Sequence, residues 1–185
     1  MVSKENFDLL RNELSVKSKN GLDFTLAASI IWLTITFIWT MELSSYNKSV
    51  LTFIVSGLML PLALFFSKIL KTTWKNKDNP LQPLGLWLNF AQLFYFPFLI
   101  FILIKMPDYF VMVYAIITGG HFFPYSWFYK TNWYAIFAGI IVVGALILSL
   151  FLPVERMFVI SLCMSLSLSI LTVLIWIDSA KKAIS

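Results

Sequence analysis

A single histidine occurs in the chain, His121, and it lies inside the segment Thr118-Gly119-Gly120-His121-Phe122-Phe123-Pro124-Tyr125. An imidazole donates and accepts hydrogen bonds, and it is the side chain whose ordinary pKa lies nearest neutrality. Tyr125 follows four residues later and shares the face of His121 if the segment is helical. The segment can therefore supply an acid or base, a hydroxyl and hydrogen bonds, and we expect a site here.

Glycine and proline in the same segment also affect its backbone. Gly120 exposes backbone to neighbouring groups, and Pro124 leaves the carbonyl of Gly120 without its usual helical N–H donor. We expect Pro124 to interrupt a helix over residues 109–130. Irregular backbone at membrane depth is tolerated where it is buried in protein or lines a cavity, which favours a site around Gly120.

A second set of polar side chains lies in the preceding apolar segment, where Asn89, Gln92 and Tyr95 are spaced by three and share a helix face. At about 1.5 Å rise per residue, His121 lies about 13 Å deep and Asn89 and Gln92 about 8 and 12 Å deep, measured from the same membrane surface. Polar groups in hydrocarbon turn inward and pair. We therefore expect one ligand-binding cluster, which consists of Asn89, Gln92, Tyr95, Gly120, His121 and Tyr125.

Three roles remain open for this cluster. We expect it to bind or transport a small apolar or aromatic molecule in a pocket in the inner half of the bundle. Alternatively, its hydrogen bonds only hold helices together, and the protein is a structural or regulatory membrane subunit without a ligand. In the third alternative, the protein is a membrane-embedded enzyme that uses His121 on a lipid-like substrate.

Composition defines the class of protein. The 185 residues are 59% hydrophobic and 12% charged, whereas soluble domains have roughly 45–50% apolar and about 25% charged residues. So little polar surface predicts an integral membrane protein. Net charge is +5, which in a membrane protein is typical of basic cytoplasmic loops that face anionic lipid. We expect a lipid bilayer as the surrounding partner, and no nucleic acid.

Several kinds of chemistry are disfavoured. One histidine and one cysteine, Cys163, cannot make a metal centre or an intramolecular disulfide, and hydrolase and phosphate-loop motifs are missing. No Asp, Glu, Lys or Arg lies near the middle of an apolar segment, which argues against ion-coupled transport. We expect no cofactor and no catalytic residue, and we lean against an enzyme.

Six apolar segments of about 20 residues each match the length that an α-helix needs to cross about 30 Å of hydrocarbon. Because they are continuous rather than alternating, and because backbone in lipid must satisfy its own hydrogen bonds, we expect an all-α bundle of six transmembrane helices. The segments are 24–42, 50–69, 84–104, 109–129, 132–152 and 157–178.

Lys and Arg indicate the orientation. With the N-terminus in the cytoplasm, 11 of the 14 basic residues lie inside, as the preference of Lys and Arg for cytoplasmic loops requires. We therefore expect a multi-pass protein of a bacterial cytoplasmic membrane with both termini inside. The inside set is Lys4, Arg11, Lys17, Lys19, Lys68, Lys71, Lys75, Lys77, Lys130, Lys181 and Lys182, and the outside set is Lys48, Lys105 and Arg156.

The N-terminal segment is polar, but Phe7, Leu10 and Leu14 recur at helical spacing, and Ser3 can cap the start of a helix. We expect residues 1–22 to contain a cytoplasmic amphipathic helix on the membrane surface. Residues 23–180 form the six-helix transmembrane domain and residues 181–185 a cytoplasmic tail. A homo-oligomer or a membrane partner subunit is compatible with this organisation.

Two sequence blocks resemble those of a family of bacterial multi-pass membrane proteins of unknown function. The first block is Glu13–Leu22, running into Ile31-Trp32, and the second is Gly119–Tyr125. The resemblance implies a bacterial multi-pass protein and supplies no activity. Six spans with both termini inside are also similar in outline to vitamin-binding subunits of energy-coupling-factor transporters. Their first helix carries spaced small residues, whereas Ala27-Ala28-Ser29 is contiguous here.

Overall fold

A computed structural model describes residues 4–184, so the expected Ser3 cap lies outside the described residues. Every regular element in this range is helical, and three short 3-10 turns join the longer helices. We number the α-helices in chain order. They are α1 (Lys4–Lys17), α2 (Leu22–Thr40), α3 (Ser45–Ser56), α4 (Met59–Leu70), α5 (Gln82–Leu93), α6 (Phe96–Lys105), α7 (Phe110–Phe128), α8 (Trp133–Phe151) and α9 (Phe158–Lys182).

Five helical stretches in the described residues are long and apolar enough to cross a membrane, so the chain is a membrane-embedded, all-helical protein. They are Lys19–Thr40, Ser45–Leu70, Gln82–Lys105, Trp133–Phe151 and Val154–Lys182. Helix α7 has 19 residues but is not among them, because the Gly-Gly-His sequence and the polar aromatics near its end dilute its apolar character. The crossing expected over 109–129, the fourth of the six apolar segments, therefore stays a prediction.

Proline explains where two of the long helices are divided. A proline clashes with the carbonyl four residues earlier. The α3–α4 stretch is interrupted between Ser56 and Met59, and the residue four before Pro61 is Gly57, within this interruption. The α5–α6 stretch is interrupted after Leu93, the residue four before Pro97. Each break is local and lies within a continuous apolar stretch.

The expected interruption at Pro124 is wrong, since α7 continues through this proline to Phe128. Helix α7 packs along α8 and also contacts α5, α6 and α9. The divided stretches lie at the periphery, where only 17% and 11% of an 18-residue apolar window are buried, against 67% for the window in Lys19–Thr40. Neighbouring helices pack against α7 on several sides and keep it helical through its proline. The peripheral stretches have fewer buried residues and break near theirs.

The core lies between α2 and α9, with the α7–α8 pair beside them. Trp32, Ile35 and Leu168 are almost completely buried there. Ser165 Oγ of α9 donates to the carbonyl of Ser29 of α2 at 2.9 Å. The serines of α9 therefore supply one bond between helices, while Ser169 bonds within its own helix.

Helix α1 packs across one end of this core, against the 3-10 turn at Lys19–Gly21 and the end of α9. Leu14 is buried, and the Phe7 ring lies 5.7 Å from the Trp127 ring of α7. By the expected orientation this is the inner end of the bundle. The groups that hold α1 there also form the candidate site.

Candidate functional site

His121 and Tyr125 lie one turn apart on α7, and their rings meet edge to face with centroids 5.2 Å apart. His121 is half-buried and Tyr125 is buried. The unbroken helix brings these two predicted residues together, since residues four apart share a face. This is the part of the predicted cluster that forms a direct contact.

The other predicted residues do not join this pair. Asn89 is exposed, and its side-chain amide donates to the carbonyl of Gly85 in its own helix at 3.1 Å. Tyr95 is 58% exposed, Gln92 is half-buried, and Gly120 faces open space. No hydrogen bond among the described residues joins Asn89 or Gln92 to His121. The expected pairing is therefore not formed, although a ligand-binding role for the six residues stays a prediction.

The contact between α5 and α7 explains this arrangement. A Cβ atom on Gly85 would lie 3.0 Å from Cζ of Phe128, so the Phe128 ring packs directly on Gly85. This contact occupies the side of α5 that faces α7. Asn89, one turn after Gly85, nevertheless stays exposed and bonds back to the Gly85 carbonyl. Tyr95 is exposed beyond the break after Leu93. Counting residues along the helices gave similar depths for these side chains, but it could not predict whether they meet.

Tyr125 belongs to an aromatic cluster at the C-terminal end of α7. Its ring is stacked on Tyr129 at 5.7 Å and lies 5.8 Å from Tyr134 of α8. The Tyr134 hydroxyl donates to the carbonyl of Asn20 at 2.6 Å. Tyr129 packs over Gly21, where an added Cβ atom would lie 3.1 Å from the Tyr129 hydroxyl oxygen. The cluster thus joins α7 and α8 to the start of α2.

Two buried hydroxyls on α7 have no hydrogen-bond partner, Thr118 Oγ1 and the hydroxyl of Tyr125. A buried polar group without a partner costs roughly 1–3 kcal/mol. The two residues are seven apart, which is two helical turns, so they lie along one face. Both residues are buried in the regular part of α7, and their hydroxyls can offer hydrogen bonds.

A network of polar groups joins the start of α2 to the end of α9 at the end of the bundle where α1 packs. The side chain of Asn20 accepts from Ser15 and donates to the carbonyl of Ile175 at 3.0 Å and to Asp178 at 2.9 Å. Lys182 Nζ lies 2.6 Å from Asp178 and donates to the carbonyl of Tyr129 at 2.8 Å. These bonds satisfy the charged groups in pairs, which is the arrangement that buried polar groups require.

Helix α1 is held against α7 mainly by Arg11. The Arg11 guanidinium donates from Nε to the carbonyl of Trp127 at 2.7 Å and lies 4.6 Å from the centre of the Trp127 ring. Asp8 accepts from Arg11 Nη1 at 3.1 Å, and its other oxygen lies 3.5 Å from Lys130 Nζ. One carboxylate therefore holds two cations side by side.

The connection between α4 and α5 folds back onto α1 and α2. Asp23 is 1% exposed, and its carboxylate accepts from Thr72 at 2.6 Å and from the Trp74 indole at 2.5 Å. Asn79 donates to Glu13 at 2.7 Å. Hydrogen bonds from Lys17, the largest cause, and from Asn79 lower the pKa of Glu13 from 4.5 to about 2.

A groove of about 840 Å³ opens at this end of the bundle, among α1, α7, α8 and α9. Arg11, Lys130 and Asp178 are its charged residues. Apolar and aromatic side chains form another part of its wall. The lining residues are Arg11, Phe123, Pro124, Ser126, Trp127, Lys130, Thr131, Asn132, Trp133, Ile136 and Asp178.

The groove begins within the segment that the sequence singled out, because Phe123 and Pro124 line it. His121 and Gly120 do not. Sequence reasoning missed Arg11, Thr131 and Asp178, which come together only through contacts between distant elements. Two signals pointed toward this place, namely the tryptophans at 127 and 133 and the basic residue between them, which are typical of a membrane interface.

The groove has the volume of a small-molecule site. A volume of about 840 Å³ lies within the range of roughly 300–1,000 Å³ that small-molecule sites occupy. Among residues 4–184, no group of three or more His, Cys, Asp or Glu is placed to hold a metal ion. A second, smaller cavity of about 270 Å³ is lined by Trp87, Phe90, Leu93 and Phe94, without a polar group to orient a ligand.

Comparison with known proteins defines the class of this chain. The model of a family of unknown function (DUF7010) matches residues 7–178. The chain belongs to this family, and the predicted membership in a family of unknown function is confirmed. No curated protein matches the chain. No solved structure matches it.

Proposed function

We propose that this protein is a six-span membrane protein that binds a small, largely apolar molecule with one polar end in the groove at the inner end of the bundle. The groove carries the proposal, because its lining combines charged residues with apolar and aromatic ones. Phe123 and Trp133 are 64% and 36% exposed, so the apolar wall is accessible from the surface of the bundle. An amphipathic molecule can contact the charged residues with its polar end and the apolar residues with the rest.

Membrane placement supports this function. We propose that α7 is the sixth span, that α1 lies at the inner surface, and that both termini are cytoplasmic in a bacterial membrane. Trp127 and Trp133 then lie at the headgroup level, where indole rings concentrate. A ligand can enter sideways from the inner half of the bilayer, with its apolar part beside Phe123 and Ile136.

The test uses the whole purified protein in a mild detergent, with a short-chain phosphatidylcholine as the probe. Native mass spectrometry measures how much of the lipid stays bound. Ile136→Trp fills the groove from its apolar wall, and we expect it to reduce the bound lipid severalfold. Ile140→Trp is the matched control, because Ile140 is similarly exposed one turn further along α8 and does not line the groove.

Lipid retention should differ between these two variants. Equal lipid retention by the wild type and both variants, with all of them folded by circular dichroism, means that the lipid binds only to the general apolar surface. The groove is then not a binding site. Selective loss in Ile136→Trp supports the proposed function.

A further inference from the structure

We propose that the groove selects an anionic phospholipid of the inner leaflet, with its phosphate held by Arg11, Lys130 and Thr131. This inference rests on the proposed function and adds the chemistry of the polar end of the ligand. It is carried by three independent features of the charged wall. They are the unused donors of Arg11, the position of Lys130, and the unpartnered hydroxyl of Thr131.

Arg11 is held in place yet keeps donors to offer. A guanidinium has five N–H groups, and three of them are used, by the Trp127 carbonyl at Nε and Nη2 and by Asp8 at Nη1. Nη1 and Nη2 therefore each keep one N–H for another acceptor. Because its plane is already fixed by Trp127, Arg11 loses little freedom when a phosphate oxygen binds.

Lys130 adds a second positive charge next to Arg11. Both cations share the Asp8 carboxylate, and Asp178, the acidic residue in the groove lining, is paired with Lys182 at 2.6 Å. Two cations around one carboxylate leave an excess of one positive charge. An anion in the groove balances this charge, while a neutral group does not.

Thr131 supplies the observation that points most directly to a ligand. Thr131 is 5% exposed and lines the groove, and its hydroxyl oxygen has no hydrogen-bond partner. Buried hydroxyls are normally paired. Because the hydroxyl oxygen itself is covered, it meets a phosphate oxygen once the Thr131 side chain turns toward the groove, and this bond removes the existing cost.

The start of α8 favours the same ligand. The Asn132 side chain makes no capping bond to this 19-residue helix, and Asn132 and Trp133 line the groove. The first N–H groups of a helix lack partners within it and attract negative charge. The same wall continues into Trp133 and Ile136, which suits the acyl chains of a lipid better than a free inorganic anion.

The experiment compares three probes on the full chain, namely short-chain phosphatidylglycerol, short-chain phosphatidylcholine and inorganic phosphate. Native mass spectrometry and the shift in melting temperature report binding. We expect about tenfold tighter binding of phosphatidylglycerol than of phosphatidylcholine, no measurable binding of phosphate alone, and a preference that weakens as salt is raised.

Two variants test the assigned groups. Lys130→Gln should remove most of the preference for phosphatidylglycerol. Thr131→Val should reduce phosphatidylglycerol binding about two- to tenfold without loss of stability, because the deleted hydroxyl has no partner. Lys71→Gln is the matched control, since Lys71 is also exposed and also has a positive φ, 54° against 53° for Lys130, but lies outside the groove.

The outcomes separate this inference from the proposed function. Equal binding of the two lipids, both lost in Ile136→Trp, overturns the phosphate assignment and leaves the groove as a site for amphipathic molecules. No groove-dependent binding of either lipid overturns both. Inorganic phosphate binding as tightly as the lipid, or Lys71→Gln acting like Lys130→Gln, overturns the lipid assignment.

Discussion

Gly119 of α7 lies directly against Ile141 of α8. A Cβ atom added to Gly119 would lie 2.5 Å from Cγ2 and 3.0 Å from Cβ of Ile141. Ile141 is branched at Cβ and stiff, so it cannot move aside easily. Close packing of α7 on α8 therefore requires glycine at residue 119. The same helix pair carries the aromatic cluster and part of the groove lining.

This contact predicts opposite effects for the two adjacent glycines. Gly119→Ala should overpack the interface and destabilise the protein by about 1–3 kcal/mol. Gly120→Ala is the control, because an added Cβ meets nothing within 4 Å, and alanine should stabilise the helix by up to about 1 kcal/mol. Thermal unfolding in detergent, followed by circular dichroism, measures both. Equal stability of the two variants would contradict the contact.

The tyrosine hydroxyls predict a second contrast. Tyr125→Phe removes a hydroxyl that has no partner, so stability should be unchanged or slightly higher. Tyr134→Phe removes the donor to the Asn20 carbonyl at 2.6 Å and leaves that buried oxygen unpaired, at a cost of about 1–3 kcal/mol. The same unfolding measurement compares them. A larger loss in Tyr125→Phe than in Tyr134→Phe would show that the Tyr125 hydroxyl does have a partner.

Glu13 predicts a loss of stability in acid. Its pKa is lowered to about 2 in the folded protein, chiefly by the hydrogen bond from Lys17, against 4.5 as the ordinary value. A lowered folded-state pKa gives stability that is fully present above about pH 4.5 and is lost as the pH falls toward about 2. The melting temperature should fall over this window, and less so in Glu13→Gln. Glu5→Gln, an exposed change on the same helix, is the charge-matched control, and an identical acid response in Glu13→Gln and the wild type would contradict the prediction.

Whether α7 crosses the membrane can be measured directly. If α7 crosses the membrane, its two flanks, Lys105 and Asn132, lie on opposite sides. In a Cys163→Ser background, single cysteines at these two positions should react with a membrane-impermeant maleimide from opposite sides of sealed vesicles. Lys48→Cys and Lys77→Cys provide the outer and inner reference positions. Labelling of both flanks from the same side would leave only the five stretches that length and composition support.

Prediction from sequence succeeded where the physics is local. The apolar segment expected at 132–152 corresponds to α8, Trp133–Phe151, because hydropathy depends only on the residues within that segment. The breaks before Pro61 and Pro97 were not predicted above, but a steric rule that acts over four residues explains them. The same rule was wrong at Pro124, where packing of α7 against its neighbours maintains the helix.

The sequence by itself determined that the chain is helical, apolar and built for a membrane, since each segment's composition decides whether it prefers lipid to water. Only the tertiary structure decided which polar groups meet. Arg11 reaches a carbonyl 116 residues away, and Lys182 binds carbonyls about 50 residues earlier in the chain. Which side of a helix faces its neighbours depends on the close fit of residues such as Gly119 and Gly85, and that fit belongs to pairs of helices rather than to any one segment.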